Sequence, residues 1–273
     1  MENKTEHDTL PPPYEATPNA APPYQVRSHD DVLDNPIVEP TIFILAGQAI
    51  HAETASSPAA YELNRAVATL TKSTEKVEFQ RVDQAISAAS SDGAPTVKSR
   101  RRHLYDLRRT VKQPRIGFSR SRSNSDAPEY YIHSMSSRRT LGHVGLSKSR
   151  HGGFAAGFTA VPVSVATTSQ ARFAEHRPPL FALRRTKDRS QWVAADGNET
   201  VAIEDAADEQ QRLILMKAMP RKEVDALVAL WCCSIWQDAA ERAEEARHEV
   251  GGSSFTRKMD RGRGVYLGTK IDY

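Results

Sequence analysis

The chain has 273 residues, 39% of them hydrophobic and only 7% aromatic, with a formal net charge of +3. The length fits one or two domains, and the apolar share is below that of a chain packed into a core from end to end. A charge this small gives no argument for nucleic acid by itself, and no stretch approaches the ~18 apolar residues of a membrane-spanning helix.

The charge is unevenly placed. Residues 1–40 carry Glu2, Glu6, Asp8, Glu15, Asp30, Asp31, Asp34 and Glu39 against Lys4 and Arg27, among prolines and small polar residues. Such a segment cannot offset its ordering entropy by burial, so an acidic, proline-rich, disordered tail is expected over 1–40. Within it, Pro11, Pro12, Pro13 and Tyr14 form a P-P-x-Y motif. A polyproline II segment is already extended and loses little entropy on binding, and WW domains take its prolines in an aromatic-lined groove. The bland alternative is ordinary proline-rich disorder. Pro22, Pro23 and Tyr24 make a poorer copy, because Ala21 stands where the first proline belongs. WW-containing HECT ubiquitin ligases are the partners such a motif suggests. The N-terminus has no basic region followed by an apolar one. The only cysteines, Cys232 and Cys233, are adjacent and lack disulfide-framework spacing. A cytoplasmic, reducing compartment is the expectation.

From Thr41 the pattern changes. Residues 41–46 and 49–53 read as two short strands around Gly47-Gln48. Residues 61–67 and 76–83 follow; in the second, Val77 and Phe79 alternate with Glu78 and Gln80, the period of a half-buried strand. Residues 84–101 read as a polar, then basic, linker. Residues 103–109 are strand-like again, and 112–128 form a second polar insert. Further strands are expected at 129–135, 140–147 and 158–165, where Pro162 implies an edge or a bulge. A meander of four follows at 180–185, 191–195, 200–205 and 212–218, with Asp196-Gly197 supplying the positive φ of a hairpin turn.

Then the period switches. Pro220 is placed to open a helix. Val224, Leu227, Val228, Trp231 and Ile235 form one apolar stripe, while Leu230, Cys232, Cys233 and Trp236 lie off it. A helix apolar all round must be enclosed by protein. Past Gln237 it becomes fit for water; Gly251-Gly252 is expected to stop it, leaving a basic-polar tail. About twelve short strands and one enclosed helix imply a mainly β fold, a closed antiparallel barrel around a central hydrophobic C-terminal helix. The barrel domain spans 41–237, with 238–273 as helix extension and tail.

In these segments the chain resembles the tubby C-terminal-like superfamily, which includes tubby proteins, plant LURP-one-related proteins and phospholipid scramblases. The resemblance lies in residues 61–67, 76–83, 180–185, the run from Trp192 to Asp205, and 224–236. It implies a twelve-stranded barrel around a central helix, and binding to phosphoinositides or action at membranes. No lipid-binding motif of the family matches residue by residue, so no lipid site is carried over, and the C-terminal tail lacks the apolar run of scramblases.

Residues 98–150 hold fourteen Lys and Arg against Asp106, Asp126 and Glu129. Lys98, Arg100, Arg101, Arg102, Arg108 and Arg109 are candidates for contacting an anionic lipid surface, which attracts about 1 kcal/mol per basic residue. The same charges could serve nucleic acid, but aromatic interleaving is sparse, which disfavours it. A solvated basic loop is the bland reading. Ser121, Ser123 and Ser125 lie among arginines as phosphorylation candidates that could reverse the local charge. The histidines show no metal-ligand spacing, and Cys232 and Cys233 are expected to pack as small hydrophobes. No catalytic constellation, metal or cofactor is expected. The reading is a non-enzymatic adaptor or peripheral membrane protein; the competing readings are a scramblase-like protein or hydrophobic-ligand carrier, and a nucleic-acid-associated protein acting through the basic loops.

Overall fold

Strands arise after residue 36 wherever apolar and polar residues alternate, because that pattern buries one face of an extended chain. The structure is a computed structural model, and the residues it describes are 36–87, 96–110, 127–148, 157–165, 171–186, 189–196, 199–206 and 210–262, without the side chains of 86, 87, 96 and 249–262. The strands are β1 (Ile37–Val38), β2 (Ile42–Ala46), β3 (Ala49–Ala52), β4 (Ala59–Leu63), β5 (Lys76–Ser87), β6 (Thr96–Arg109), β7 (Tyr130–Ser134), β8 (Val144–Lys148), β9 (Phe158–Val165), β10 (Ala171–Phe173), β11 (Phe181–Arg185), β12 (Ser190–Ala194), β13 (Thr200–Asp205), β14 (Gln211–Leu215) and β15 (Met219–Pro220). One long helix, α1 (Arg221–Gly262), follows.

Twelve of these strands close into an antiparallel barrel. Its order runs β2 to β9 in sequence, then β11 to β14, and β14 returns to β2 with Gln211–Ile214 opposite Leu45–Ile42. A meander of this kind needs only short turns. Gly47, the first residue of the two-residue turn between β2 and β3, has the positive φ of 63° that such hairpins require. Each of the twelve barrel strands coincides with a segment expected from the sequence.

Three strands lie outside the expectation. β1 pairs with β15, Ile37 opposite Pro220 and Val38 opposite Met219, so residues 36–40 belong to the fold and the tail boundary at 40 is corrected. Val38 and Met219 are buried, which offsets the ordering of so short a pair. β10 pairs with the far half of β9. Pro162 sits between the two partners of β9: β11 pairs with it up to Ala160, and β10 from Val163. The missing proline N–H therefore falls where a ladder changes hands.

Two further expectations are corrected. The linker over 84–101 is in its described part a hairpin, in register from Lys76 opposite Arg108 to Ser87 opposite Thr96. A two-stranded ribbon outside a barrel has no core face, so its composition does not alternate and reads like a loop. Pro220 ends β15 rather than lying inside the helix, and α1 continues through Gly251-Gly252 to Gly262. Glycine weakens a helix interior by about 1 kcal/mol relative to alanine without forbidding it. Most of the insert at 112–128 lies outside the described residues.

The first turns of α1 fill the barrel. Every residue from Val224 to Gln237 is buried, and Val224, Leu227, Val228, Trp231 and Trp236 are fully so, with Ile235 at 7% exposure. Inward-facing aromatics pack round them. Tyr61 stacks on Phe79 at 5.1 Å and meets Phe43 edge-on at 5.8 Å, while Tyr130 meets the Trp236 ring edge-on at 5.2 Å. Both cysteines are buried free thiols, and burial pushes their pKa values up.

Candidate anion-binding ribbon and the charges that hold it

β5 and β6 are far longer than their neighbours, and their ends leave the barrel together. β4 pairs with β5 only at Phe79–Arg81, and β7 pairs with β6 only at Tyr105–Arg109. Residues 82–87 and 96–102 thus form a ribbon beyond the rim, roughly 20 Å long at 3.3 Å per residue. The register shifts where Phe79 and Gln80 face Tyr105 and His103, so Leu104 is an extra residue. Such a bulge swaps the faces of everything beyond it. Tyr105 and Leu107 point into the barrel; above the bulge Arg102, Arg100 and Lys98 take that face, and Arg101, Ser99 and Val97 take the outer one.

Buried charges fix the base of the ribbon. Asp225, fully buried on the second turn of α1, accepts a hydrogen bond from the Tyr61 hydroxyl at 2.8 Å and one from Arg81 Nη1 at 2.6 Å. Arg81 Nε donates to Asp83 Oδ1 at 2.7 Å, and Arg102 Nε lies 2.5 Å from Asp83 Oδ2. Burial pushes the Asp225 carboxyl above the ordinary carboxylate range, with Arg81 and Tyr61 working against that shift. The helix, β4, β5 and β6 are tied together at one end of the barrel. At the other end Arg185 makes two hydrogen bonds of 2.8 and 2.7 Å to Asp238, and Trp192 Nε1 donates to Glu204 Oε1 at 2.9 Å. A lone aspartate amid Val224–Leu227 was the sequence signal of such a network, since a buried carboxylate demands partners.

The six candidate cations are not one patch. Arg101 reaches Glu62 on the outer face, with bonds of 2.5 and 3.1 Å. Arg102 is occupied by Asp83. Arg108 donates to Asp106 at 3.0 Å on the barrel wall, and Arg109 lies at the opposite rim, bonded to the Lys72 carbonyl and 4.0 Å from Glu129. Arg108 and Arg109 therefore leave the anion-contact set, because β6 carries them away from the ribbon. Lys98 and Arg100 are exposed, with no ion pair among the described residues. Pro11, Pro12, Tyr14, Ser121, Ser123 and Ser125 lie outside the described residues.

Beside the ribbon, Pro58, Ala59, Glu62, Val82, Gln84, Val97 and Ser99 line a shallow outer groove of about 350 Å³. Further along the wall, a charge cluster escaped the sequence reading because strand pairing brings Lys76 and His133 to the β6 residues His103 and Asp106. Asp106, 1% exposed, lies 2.9 Å from His103 Nε2 and 3.3 Å from Lys76 Nζ, and stands opposite His133. The His133 ring stacks on His143 at 4.4 Å, and the Ser134 backbone N–H donates to His143 Nδ1 at 3.0 Å. Burial works against the Asp106 carboxylate, but Arg108 and Lys76 outweigh it and hold its pKa low. Burial lowers both histidine pKa values, helped at His133 by His143 and at both by Arg108.

Among the described residues, no group of three or more His, Cys, Asp or Glu side chains is placed to hold a metal. No described helix is long and apolar enough to cross a membrane. No protein-family model matches the chain. No curated protein and no solved structure matches it either.

Proposed function

We propose that the chain is a non-enzymatic cytoplasmic adaptor that sits at anionic membrane surfaces. The barrel contacts phosphoinositide-like headgroups, while the P-P-x-Y motif at Pro11, Pro12 and Tyr14 recruits a WW-domain protein such as a HECT ubiquitin ligase. The observation that carries this reading is the pair Lys98 and Arg100, exposed and without ion-pair partners among the described residues, on a ribbon braced from below by the Arg81–Asp225 network. The filled barrel supports it indirectly. With Trp231 and Trp236 packed on all sides, recognition falls to the exterior, which weighs against a carrier that shelters a hydrophobe beside the helix. A closed twelve-stranded barrel around a helix is also what membership of the tubby C-terminal-like superfamily calls for. Cys232 and Cys233, buried and held as thiols, offer no accessible nucleophile, in keeping with a non-enzymatic role.

Liposome co-sedimentation, with and without phosphoinositide, tests the membrane half. Changing Lys98 and Arg100 together to alanine should weaken binding by roughly thirtyfold, about 1 kcal/mol per charge, while Arg108→Ala leaves it unchanged. Equal sedimentation of wild type and the double variant removes the ribbon from the account. Salt-sensitive binding to duplex DNA without lipid binding would favour the nucleic-acid reading instead. Capture by WW domains, compared between wild type and Tyr14→Ala, tests the tail, and equal capture overturns it.

A further inference from the structure

Beyond the rim the ribbon has lost its flanking strands, and its backbone polar groups are the feature that the membrane reading leaves unused. The last hydrogen bond β6 receives from the β7 side is the Met135 N–H on the Leu104 carbonyl, at 3.0 Å. The Asn64 N–H bonds the Glu78 carbonyl, so Glu78 and the even-numbered residues after it on β5 turn their backbone groups toward β4. The odd-numbered residues face β6, where Arg81 meets Arg102, Asp83 meets Arg100 and Ala85 meets Lys98. The intervening Val97, Ser99 and Arg101 must point their N–H and C=O groups away from β5, along an edge that no described strand covers. Residues 97–101 are all exposed, Val97 at 66%.

We infer that this free edge of β6 is a strand-addition site for an acidic, extended peptide segment of a partner protein. Main-chain hydrogen bonds supply the affinity in strand addition, and alternate side chains supply the selection. Lys98, Arg100 and Arg102 lie on one face of the ribbon and Arg101 on the other; Asp83 holds Arg102 and Glu62 holds Arg101, so Lys98 and Arg100 are the cations left to select, and Asp83 is the one acid among the ribbon's described residues. Residues directly opposite on an added strand stand about 5 Å away, so glutamates or aspartates at alternate positions meet Lys98 and Arg100. A second copy of the chain is a poor occupant, since pairing β6 with itself sets these cations against one another, and like charges opposed across a ladder are destabilising. A neutral strand leaves them uncompensated. The inference goes beyond the membrane reading, which needs the cations and not the backbone edge.

The test uses the full chain and a fluorescent ten-residue peptide alternating glutamate and valine, with a lysine–valine peptide as control. Binding is followed by anisotropy, and amide exchange is followed at Val97, Ser99 and Arg101. Ser99→Pro removes an outward N–H and leaves every charge in place; an edge strand tolerates proline where the N–H faces away from its neighbour. Val97→Pro is the second backbone variant, guarding against a fold defect in either one. The glutamate peptide should bind wild type and slow exchange of the three amides, and the lysine peptide should not. Each proline variant should lose at least tenfold in peptide binding, with liposome sedimentation unchanged. Lys98→Glu with Arg100→Glu should lose both activities. Equal peptide binding by wild type and both proline variants overturns strand addition, as does a wild type that ignores the glutamate peptide. A wild type that binds the glutamate peptide but sediments with no liposome counts against the membrane reading and leaves the edge standing, and a Lys98→Glu, Arg100→Glu variant that keeps full peptide binding overturns the selection by charge.

Discussion

The first turns of α1 and the base of the ribbon formed by β5 and β6 meet through Asp225 and Arg81, and they are opposite solutions to the same requirement. The helix satisfies its backbone internally and buries side chains all round, so from Val224 to Trp236 its sequence is apolar apart from Asp225 and Ser234. The ribbon satisfies only half of its backbone and buries almost nothing, so its sequence is small, polar and basic. One region is fixed by packing. The other is fixed at its base by the Asp225–Arg81–Asp83 chain, and its described outer residues are exposed.

The largest effect should come from breaking the packed side of that comparison. Trp231→Ala should cost about 3–5 kcal/mol in denaturant unfolding, as truncations of enclosed aromatic side chains do. Asp225→Ala strikes the joint between the two regions. It leaves the Tyr61 hydroxyl and one arm of Arg81 without a partner. The cost should be about 3 kcal/mol, at the lower end for a broken buried pair because Arg81 keeps Asp83.

A smaller effect follows from the stacked histidines on the wall below the ribbon. Their folded-state pKa values are lowered, so the unfolded chain takes up protons more readily. Stability that is complete above the ordinary histidine value of about 6.5 should be lost as pH falls through it. The low pKa of Asp106 does not interfere, because its contribution is lost only further down, on the acid side of the carboxylate range. Unfolding midpoints measured from pH 7.5 to 5 should decline in wild type and decline less in a His133→Gln, His143→Gln double variant. Equal slopes would show that the stack is not the source. The smallest effect belongs to the emergent part of the helix: Glu244→Ala removes a partly exposed ion pair with Lys72 and should leave the unfolding midpoint nearly where it was.

What could be read from the sequence follows the same division. Val77, Glu78, Phe79 and Gln80 alternate because one face of β5 meets the core, and the helix stripe around Trp231 repeats because it is enclosed. Burial writes a period into the sequence. Residues 84–101 carry no period; those whose burial is described, 84, 85 and 97–101, are all exposed, and the segment looks like a linker though its described part is strand. β1 and β15 are two residues long, too short for any periodicity. The grouping of His103, Asp106, His133 and His143 was illegible for another reason: strand register brings them together across some thirty positions. Of the anion candidates, the sequence supplied the cations, and only the bulge at Leu104 and the acids Glu62, Asp83 and Asp106 decide which remain free.

Native-state hydrogen exchange resolved by residue tests the contrast between enclosed helix and open ribbon most directly. Amides from Leu227 to Trp236 should exchange only through global unfolding. Those of Val97, Ser99 and Arg101 should exchange orders of magnitude faster, while Lys98 and Arg100, bonded to β5, fall between. Fast exchange along one side of the helix, or protection of the three edge amides in the isolated protein, would contradict the account.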